Sequence, residues 1–138
     1  MTDYRFVRKD ILEINKLYRI EEMAYDRMFA NELVQYLADE GITMVEFGQG
    51  FYSMSKPTFE LERLLLGGEL AHNGDEVLTW MASNVAVRKD PAGNIKPDKE
   101  KSEEKIDGIV SVIMGIGRAI VRDGVQESIY EKRGILVL

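Results

Sequence analysis

The spacing of apolar residues divides the chain into short helices and strands. Apolar positions recur at three- and four-residue steps in four stretches, which predicts helices over residues 10–18, 28–40, 58–68 and 76–84. Asp10 is the expected N-cap of the first helix, and Pro57 suits the first turn of the third. The Gly- and Ser-containing stretch before this proline, residues 48–57, is predicted to be a loop.

Two short apolar segments flank the second predicted helix, and both are interpreted as strands. Glu22–Tyr25 is the first and residues 42–47 are the second. A strand, a helix and a strand in this order form a βαβ unit, which pairs its two strands in parallel. Residues 85–99 alternate around a DPAGN turn and predict a β-hairpin. The pattern therefore predicts an α/β fold with a small sheet, with residues 1–138 forming one domain.

The last predicted helix, residues 103–122, combines an apolar face with a row of small side chains. Ser102 is its expected N-cap. The apolar face consists of Ile106, Ile109, Val110, Ile113 and Ile116, and the small row of Gly108, Ser111, Gly115 and Ala119. Such a row predicts that the helix lies close to the sheet. On these boundaries Asp107 falls in the second turn, and the tail after Gly124 is a weak strand candidate or a loose end.

Composition and charge narrow the class of protein. The 138 residues carry a net charge of −6, whereas a protein held to nucleic acid by its overall field is expected to be basic. A DNA contact would therefore need a local cationic patch, or metal ions that bridge carboxylates to phosphates. With no cysteine there is no disulfide framework, and no apolar run approaches the length of a membrane span. The charged N-terminus lacks the apolar core of a signal peptide, which favours a cytoplasmic location.

Two aspartates are candidate metal ligands. Asp26 follows a predicted strand, and ligands of open α/β sheets bind at the carboxyl ends of strands. The alternative is that Asp26 is simply the N-cap of the next helix. Asp107 lies beside a face built for packing, where a carboxylate is unfavourable unless a partner or a metal satisfies it. The alternative is that Asp107 points to solvent or pairs with Lys101 or Lys105.

The remaining polar features are less specific. Residues 96–105 alternate lysines with acids, which usually indicates a solvated surface, but Lys96, Lys99 and Lys101 precede Asp107 and are candidate contacts to a phosphate backbone. His72 is interpreted as a surface residue. Trp80 and Met81 are predicted to be core. The chain contains no GxxxxGK[ST] motif, so an α/β nucleotide-binding domain would lack its phosphate loop.

Four motifs, in order and at their spacing, carry a resemblance to a known family. They are AYDRMFANELVQYLADEG (24–41), FGQGFYSMSKPTFELERLLLGGEL (47–70), HNGDEVLTWMASN (72–84) and DPAGNIKPDKEKSEEKIDGIVSVIMGIGRA (90–119). The chain resembles the C-terminal nuclease part of phage terminase large subunits, the DNA-packaging motor proteins. The resemblance covers about residues 10–120.

The resemblance implies a fold, a reaction and a set of partners. Terminase nucleases are similar to ribonuclease H and RuvC-like resolvases, and they use three acidic residues to hold two Mg²⁺ or Mn²⁺ ions for phosphodiester hydrolysis. The family's YDR-type acid matches Asp26, and its IDG-type acid matches Asp107. The implied partners are double-stranded concatemeric DNA, the terminase small subunit and the portal protein. The implied location is the host cytoplasm, for a protein encoded by a phage or prophage.

This chain departs from the family pattern at its N-terminal side. The family's first acidic ligand and its ATPase domain lie upstream of anything present in the chain, so the ribonuclease H-like fold is expected to be truncated, with its first strands missing. Two acids instead of three are expected to weaken metal binding and impair cleavage. The exposed sheet edge predicts dimerisation. The alternative function is a catalytically inert remnant that acts as an interaction or DNA-holding module.

Overall fold

The fold is described from a computed structural model, which covers the backbone of residues 3–28, 31–102 and 105–137 and the side chains of residues 3–28, 32–102 and 105–124. The chain divides into two compact units, a first unit of Met1–Gly48 and a second unit of Gln49–Leu138. None of the described helices combines the length and the apolar character needed to cross a bilayer.

The first unit contains the predicted βαβ arrangement. Its elements are α1 (Tyr4–Leu17), β1 (Met23–Tyr25), α2 (Asn31–Asp39) and β2 (Met44–Glu46). The two strands are parallel, as predicted, with Met23 opposite Met44 and Tyr25 opposite Glu46. Leu37 on α2 and Ile42 before β2 are buried, which is the expected consequence of a helix covering one face of its sheet.

The first helix begins earlier than the sequence predicts. Asp3, not Asp10, is the N-cap, because its carboxylate accepts a hydrogen bond from the Arg5 N–H at 3.0 Å. Asp10 lies in the middle of α1. No residue of α1 is buried, and Phe6 is 70% exposed. The start was misplaced because Asp3 and Asp10 are both of the residue type that caps helices, and the sequence does not show which carboxylate accepts the N–H.

The second unit contains the predicted hairpin among helices. Its described elements are α3 (Phe51–Leu66), α4 (Glu76–Asn84), β3 (Val87–Lys89), β4 (Ile95–Pro97) and α5 (Asp107–Val137). The hairpin prediction is confirmed, since β3 and β4 are antiparallel with Arg88 opposite Lys96. The α4 prediction is also confirmed, and Asp75 caps α4 by accepting from the Leu78 N–H at 2.8 Å.

The predicted loop over residues 48–57 is confirmed only for residues 48–50 and is wrong beyond them, because α3 already begins at Phe51. Pro57 therefore lies inside the helix rather than in its first turn, although an interior proline removes one helical N–H donor. Packing and hydrogen bonds on either side of Pro57 hold the helix in place in spite of the missing donor. Met54 and Thr58 are buried, and the Thr58 hydroxyl donates to the Met54 carbonyl at 2.6 Å. Ser55 accepts a hydrogen bond from the Ile95 N–H at 3.1 Å, which attaches α3 to β4.

The last helix is displaced along the chain relative to its prediction. It begins at Asp107 and continues to Val137, so the tail after Gly124 is helical and the strand interpretation of that tail is wrong. Ser102 is not its N-cap, because the Ser102 hydroxyl donates instead to the Asp98 carbonyl at 2.6 Å. Glu103 and Glu104 lie outside the described residues. Asp107 is consequently the first residue of α5 and not a residue of its second turn.

The apolar face of α5 forms the core of the second unit, as predicted. The side chains of Ile106, Ile109, Val110 and Ile113 are all buried, and Ile113 is only 1% exposed. These side chains face the side of α3 that carries the buried Met54 and Leu61. Among the described helices, α3 and α5 form the most extensive contact. The prediction that Trp80 is a core residue is wrong, since Trp80 is 47% exposed on α4.

The row of small side chains brings α5 close to a helix rather than to a sheet. A Cβ atom at Gly108 would lie 2.7 Å from the Met81 sulfur and 3.2 Å from Leu78 Cδ1, both on α4. At Gly115 a Cβ atom would meet nothing within 4 Å. The close approach is therefore confined to the start of α5, and the predicted contact of this row with the sheet is wrong.

We expect alanine at these two glycines to change stability by different amounts. Gly115→Ala adds helix propensity in open space and is expected to raise the free energy of unfolding by about 0.5–1 kcal/mol. Gly108→Ala makes the same gain but forces the Met81 and Leu78 side chains to move, so its net effect is expected to be lower by about 1 kcal/mol. Urea unfolding followed by circular dichroism measures both. An equal gain at both positions would contradict the close packing of α5 on α4.

Candidate functional site

Asp26 lies where the sequence places it, directly after the last residue of β1. Its carboxylate accepts a hydrogen bond from the Met28 N–H at 3.0 Å. This bond closes a turn two residues long, whereas the described part of α2 begins only at Asn31. The Asp26 carboxylate thus stabilises a turn, and further lone pairs remain for a ligand. Residues 29–30 lie outside the described residues, so the N-cap alternative stays a prediction.

A second acid, which the sequence pattern alone did not single out, lies at the same end of the sheet. Glu46 is the last residue of β2 and stands opposite Tyr25 in the parallel register. Its side chain is 54% exposed, and it pairs with Arg27 at 3.7 Å. The carboxyl end of the small sheet therefore carries Asp26 and Glu46 on neighbouring strands. The signal that could have found Glu46 is the same one that found Asp26, an acid at the end of a strand.

Asp107 stands at the N-terminus of α5 with its side chain 68% exposed. Its Oδ1 lies 3.3 Å from the Lys99 ammonium. The sequence suggested Lys101 and Lys105 as partners of Asp107, and the structure selects Lys99 instead. An acid in the first turn of a helix is also stabilised by the helix dipole. Asp107 therefore faces a cation and solvent. It is not a buried carboxylate whose charge would require a metal ion or another partner.

Asp98 is a buried acid of the second unit, and sequence reasoning missed it. Only 3% of the residue is exposed. Its Oδ1 accepts from the N–H groups of Glu100 and Lys101 at 3.0 and 3.2 Å, and its Oδ2 accepts from Arg88 Nε at 3.1 Å. The Asp98 main-chain N–H donates to the Ala86 carbonyl at 2.8 Å, so this one residue ties the segment after β4 to the start of β3.

The hydrogen bonds to Asp98 stabilise its charged form. Burial alone would raise its pKa, but the N–H groups of Lys101 and Glu100 and the guanidinium of Arg88 together lower this pKa below its ordinary value. The sequence does contain a signal for this arrangement, because an aspartate side chain often accepts hydrogen bonds from the main-chain N–H groups two and three residues after it and so stabilises a turn. The lysine- and glutamate-rich context of residues 96–105 hid it, because such a run usually indicates a solvated surface.

The three lysines expected to contact DNA have different surroundings. Lys99 pairs with Asp107, as described above. The Lys96 ammonium lies 4.8 Å from the centroid of the Phe51 ring, in a cation–π contact. Lys101 is exposed, and its main-chain N–H is one of the donors to Asp98. Because Asp98 fixes the segment that carries Lys99 and Lys101, this buried acid sets where both cations can reach.

The described residues include the type of ligand that a divalent metal prefers, but too few such ligands lie together to form a metal site. Carboxylate oxygens are the ligands that Mg²⁺ and Mn²⁺ prefer, and Asp107 already faces a cationic group. Within the described residues, however, no group of three or more Asp, Glu or His side chains could hold a metal ion. Asp26 belongs to the first unit and Asp107 to the second. Their convergence on one cation stays a prediction.

Known proteins match most of the chain, including the part that carries Asp26, Asp98 and Asp107. Residues 1–123 match the family described as "Terminase large subunit, endonuclease domain". The chain is 41% identical over 119 residues to "Terminase, large subunit" of Enterobacteria phage HK97, a match that covers 85% of this chain and 24% of that protein. It is 36% identical over 121 residues to "Protein YmfN" of Escherichia coli (strain K12), covering 86% of this chain and 27% of that one.

A solved structure has the same fold. The crystal structure of the HK97 bacteriophage large terminase superimposes with a TM-score of 0.76 at 40% identity, over 85% of this chain and 25% of that one. The ribonuclease H-like α/β fold that the sequence predicts agrees with this match. The chain spans about a quarter of the length of the relatives it matches.

Proposed function

The chain belongs to the terminase large subunit endonuclease family, and on that premise we propose that it acts in phage DNA packaging as a metal-dependent DNA hydrolase domain. The observation that carries this proposal is the family match over residues 1–123, which includes both Asp26 and Asp107. The proposed substrate is concatemeric double-stranded DNA in the host cytoplasm. The proposed partners are the terminase small subunit and the portal protein.

The proposed roles follow from the chemistry of each side chain. Asp26 and Asp107 would supply carboxylate oxygens to Mg²⁺ or Mn²⁺, which when bound activate a water and stabilise the leaving oxygen. Lys96, Lys99 and Lys101 would contact backbone phosphates. In this scheme Lys99, whose ammonium lies 3.3 Å from Asp107, would direct a second N–H donor to a phosphate, since an ammonium has three donors.

A plasmid assay tests the proposal. We expect the chain with Mn²⁺ to convert supercoiled plasmid to nicked and linear forms slowly, and EDTA to stop this conversion. Asp107→Asn and Asp26→Asn are each expected to reduce the rate by about 100-fold or more, because each removes a charged ligand. Glu40→Gln, at an exposed acid after α2, is the matched control and should leave the rate unchanged. Cleavage that survives both aspartate substitutions would contradict the proposed roles.

A second function has its own supporting observation. The Lys99 ammonium lies 3.3 Å from Asp107, beside the oxygen that a metal would bind, which favours a catalytically inert module that holds DNA or a protein partner. Absence of cleavage by the wild-type chain, together with DNA binding in a gel-shift assay, would favour this alternative. Self-association through the sheet stays a prediction, and in the described part of the chain β1 and β2 pair only with each other.

A further inference from the structure

The solvent side of α3 presents aromatic and cationic residues in alternation. Tyr52, Lys56, Phe59 and Arg63 recur at steps of four, three and four, so they share one face of the helix. We call these four residues the α3 stripe. Tyr52 is fully exposed and Phe59 is 48% exposed. The stripe is therefore not part of the core, which lies on the opposite side of α3 and includes Met54.

The α3 stripe forms one wall of an open groove within the second unit. The groove has a volume of about 960 Å³, and its other wall is the hairpin turn, where Asp90 and Asn94 lie. The Phe51 ring and Ser55 line the groove between these walls. The groove thus has aromatic faces along one side and polar groups along the other.

The acids of the groove already have partners. Glu60 accepts two hydrogen bonds from the Arg63 guanidinium, at 2.7 and 3.0 Å, and Arg63 also pairs with Glu69 at 3.0 Å. The Asp90 carboxylate accepts from the main-chain and side-chain nitrogens of Asn94, at 2.8 and 2.9 Å. These contacts hold both carboxylates in place, so neither is directed at a ligand in the groove.

Two lysines lie in or beside the groove: Lys56 lines it, and Lys96 contacts the lining residue Phe51. Within the described residues Lys56 forms no ion pair within 4.0 Å, although its charge contributes to the lowered pKa of Glu60 after the larger effect of Arg63. The Lys96 ammonium lies over the Phe51 ring at 4.8 Å. Both ammonium groups can therefore receive a phosphate without first breaking a salt bridge.

We propose that the α3 stripe is a stacking surface for the unpaired bases of single-stranded DNA. The inference rests on the proposed function for its choice of nucleic acid, and it adds a second contact surface to that function. Exposed rings interleaved with cations are the arrangement by which proteins hold single strands without sequence preference. Tyr52 and Phe59 are seven residues apart, which is roughly 10 Å along the helix, or about three stacked nucleotides.

The charges of the groove favour a single strand over a duplex. A duplex hides the faces of its bases and is held through many phosphate contacts, which require a clear excess of positive charge. In this groove Arg63 is neutralised by Glu60 and Glu69, and Asp90 remains negative. Stacking on the rings is therefore the main attraction that this groove offers, assisted by Lys56 in the groove and by Lys96, which contacts the lining residue Phe51 from outside it.

Fluorescence anisotropy with a labelled 12-nucleotide oligothymidylate tests the proposal. The full chain is titrated in EDTA, so that binding does not depend on the metal site and its outcome is independent of the cleavage assay. We expect Tyr52→Ala and Phe59→Ala each to weaken binding about tenfold, since one stacked base is lost. Leu66→Ala is the matched control, because Leu66 is 82% exposed on the same helix but does not line this groove.

Two further readouts distinguish a stacking surface from other surfaces. We expect a duplex of equal length to bind at least about tenfold more weakly, and the slope of log affinity against log salt to be about −1.4, as for two phosphate contacts on a single strand. Equal affinities of Tyr52→Ala and Leu66→Ala would overturn the proposal. It would also be overturned if the wild-type chain bound no oligonucleotide and instead formed a dimer that Tyr52→Ala dissociates.

Discussion

Asp98→Ala is expected to lower the melting temperature by roughly 10 °C, a larger change than either glycine substitution on α5 should cause. The substitution removes one acceptor of the Arg88 guanidinium and the acceptor of both the Glu100 and Lys101 N–H groups. Donors left without partners in a site that is only 3% exposed are strongly unfavourable. Differential scanning calorimetry measures the change.

The pH dependence separates the charge of Asp98 from its hydrogen bonds. Asp98→Asn retains an acceptor for the two N–H groups but loses the charge that faces Arg88. Because the folded-state pKa of Asp98 lies below its ordinary value of 3.8, the charged form stabilises the protein above about pH 4, and this contribution is lost as the pH falls through the folded-state pKa. The stability difference between wild type and Asp98→Asn should therefore shrink below pH 4. A constant difference from pH 7 to pH 3 would contradict this assignment.

Lys99→Met is expected to tighten the binding of Mn²⁺ by about tenfold. The Lys99 ammonium lies 3.3 Å from Asp107 Oδ1, so Asp107 can accept a divalent cation only if this ammonium moves away or remains within a few ångströms of a like charge. The repulsion that the substitution removes is of the order of 1–2 kcal/mol for a partly exposed site. Titration of Mn²⁺ followed by water-proton relaxation measures the affinity directly and does not depend on cleavage.

Two variants control the Lys99 experiment. Lys101→Met removes the same charge two residues farther along, and it should change the affinity less. Asp107→Asn removes the ligand itself and should weaken Mn²⁺ binding, which is the opposite direction. If Lys99→Met and Lys101→Met have equal effects, the lysine acts only through general charge and not through its contact with Asp107.

Three features of its surroundings would suit Asp107 to the proposed role of a metal ligand. The carboxylate is exposed at a helix start, so it can be reached without opening the core. It is also placed by a rigid element, because Ile106 and Ile113 anchor the same helix in the interior. The buried Asp98 then holds the approaching lysine segment in register with β3. Position, access and counter-charge at Asp107 thus have separate structural causes.

The sequence by itself determined the features that depend on near neighbours. Helical spacing located α2, α4 and the buried stripe of α5, and the DPAGN turn located the hairpin. The order of strand, helix and strand was sufficient to predict parallel pairing of β1 and β2, because two strands joined by a crossover helix usually pair in parallel. The position of Asp26 directly after β1 was predicted for the same reason, since the end of a strand can be recognised locally.

Only the tertiary structure decided the features that depend on distant partners. Gly and Pro predicted a loop before residue 58, but burial of Met54 and Thr58 and the bond from Ile95 to Ser55 support a helix there. Asp98 can keep its charge while buried because Arg88, ten residues earlier, adds a counter-charge to the bonds from the Lys101 and Glu100 N–H groups. Local spacing reports which residues share a face, whereas the free energy of burying a charge or a proline depends on what the rest of the chain places against it.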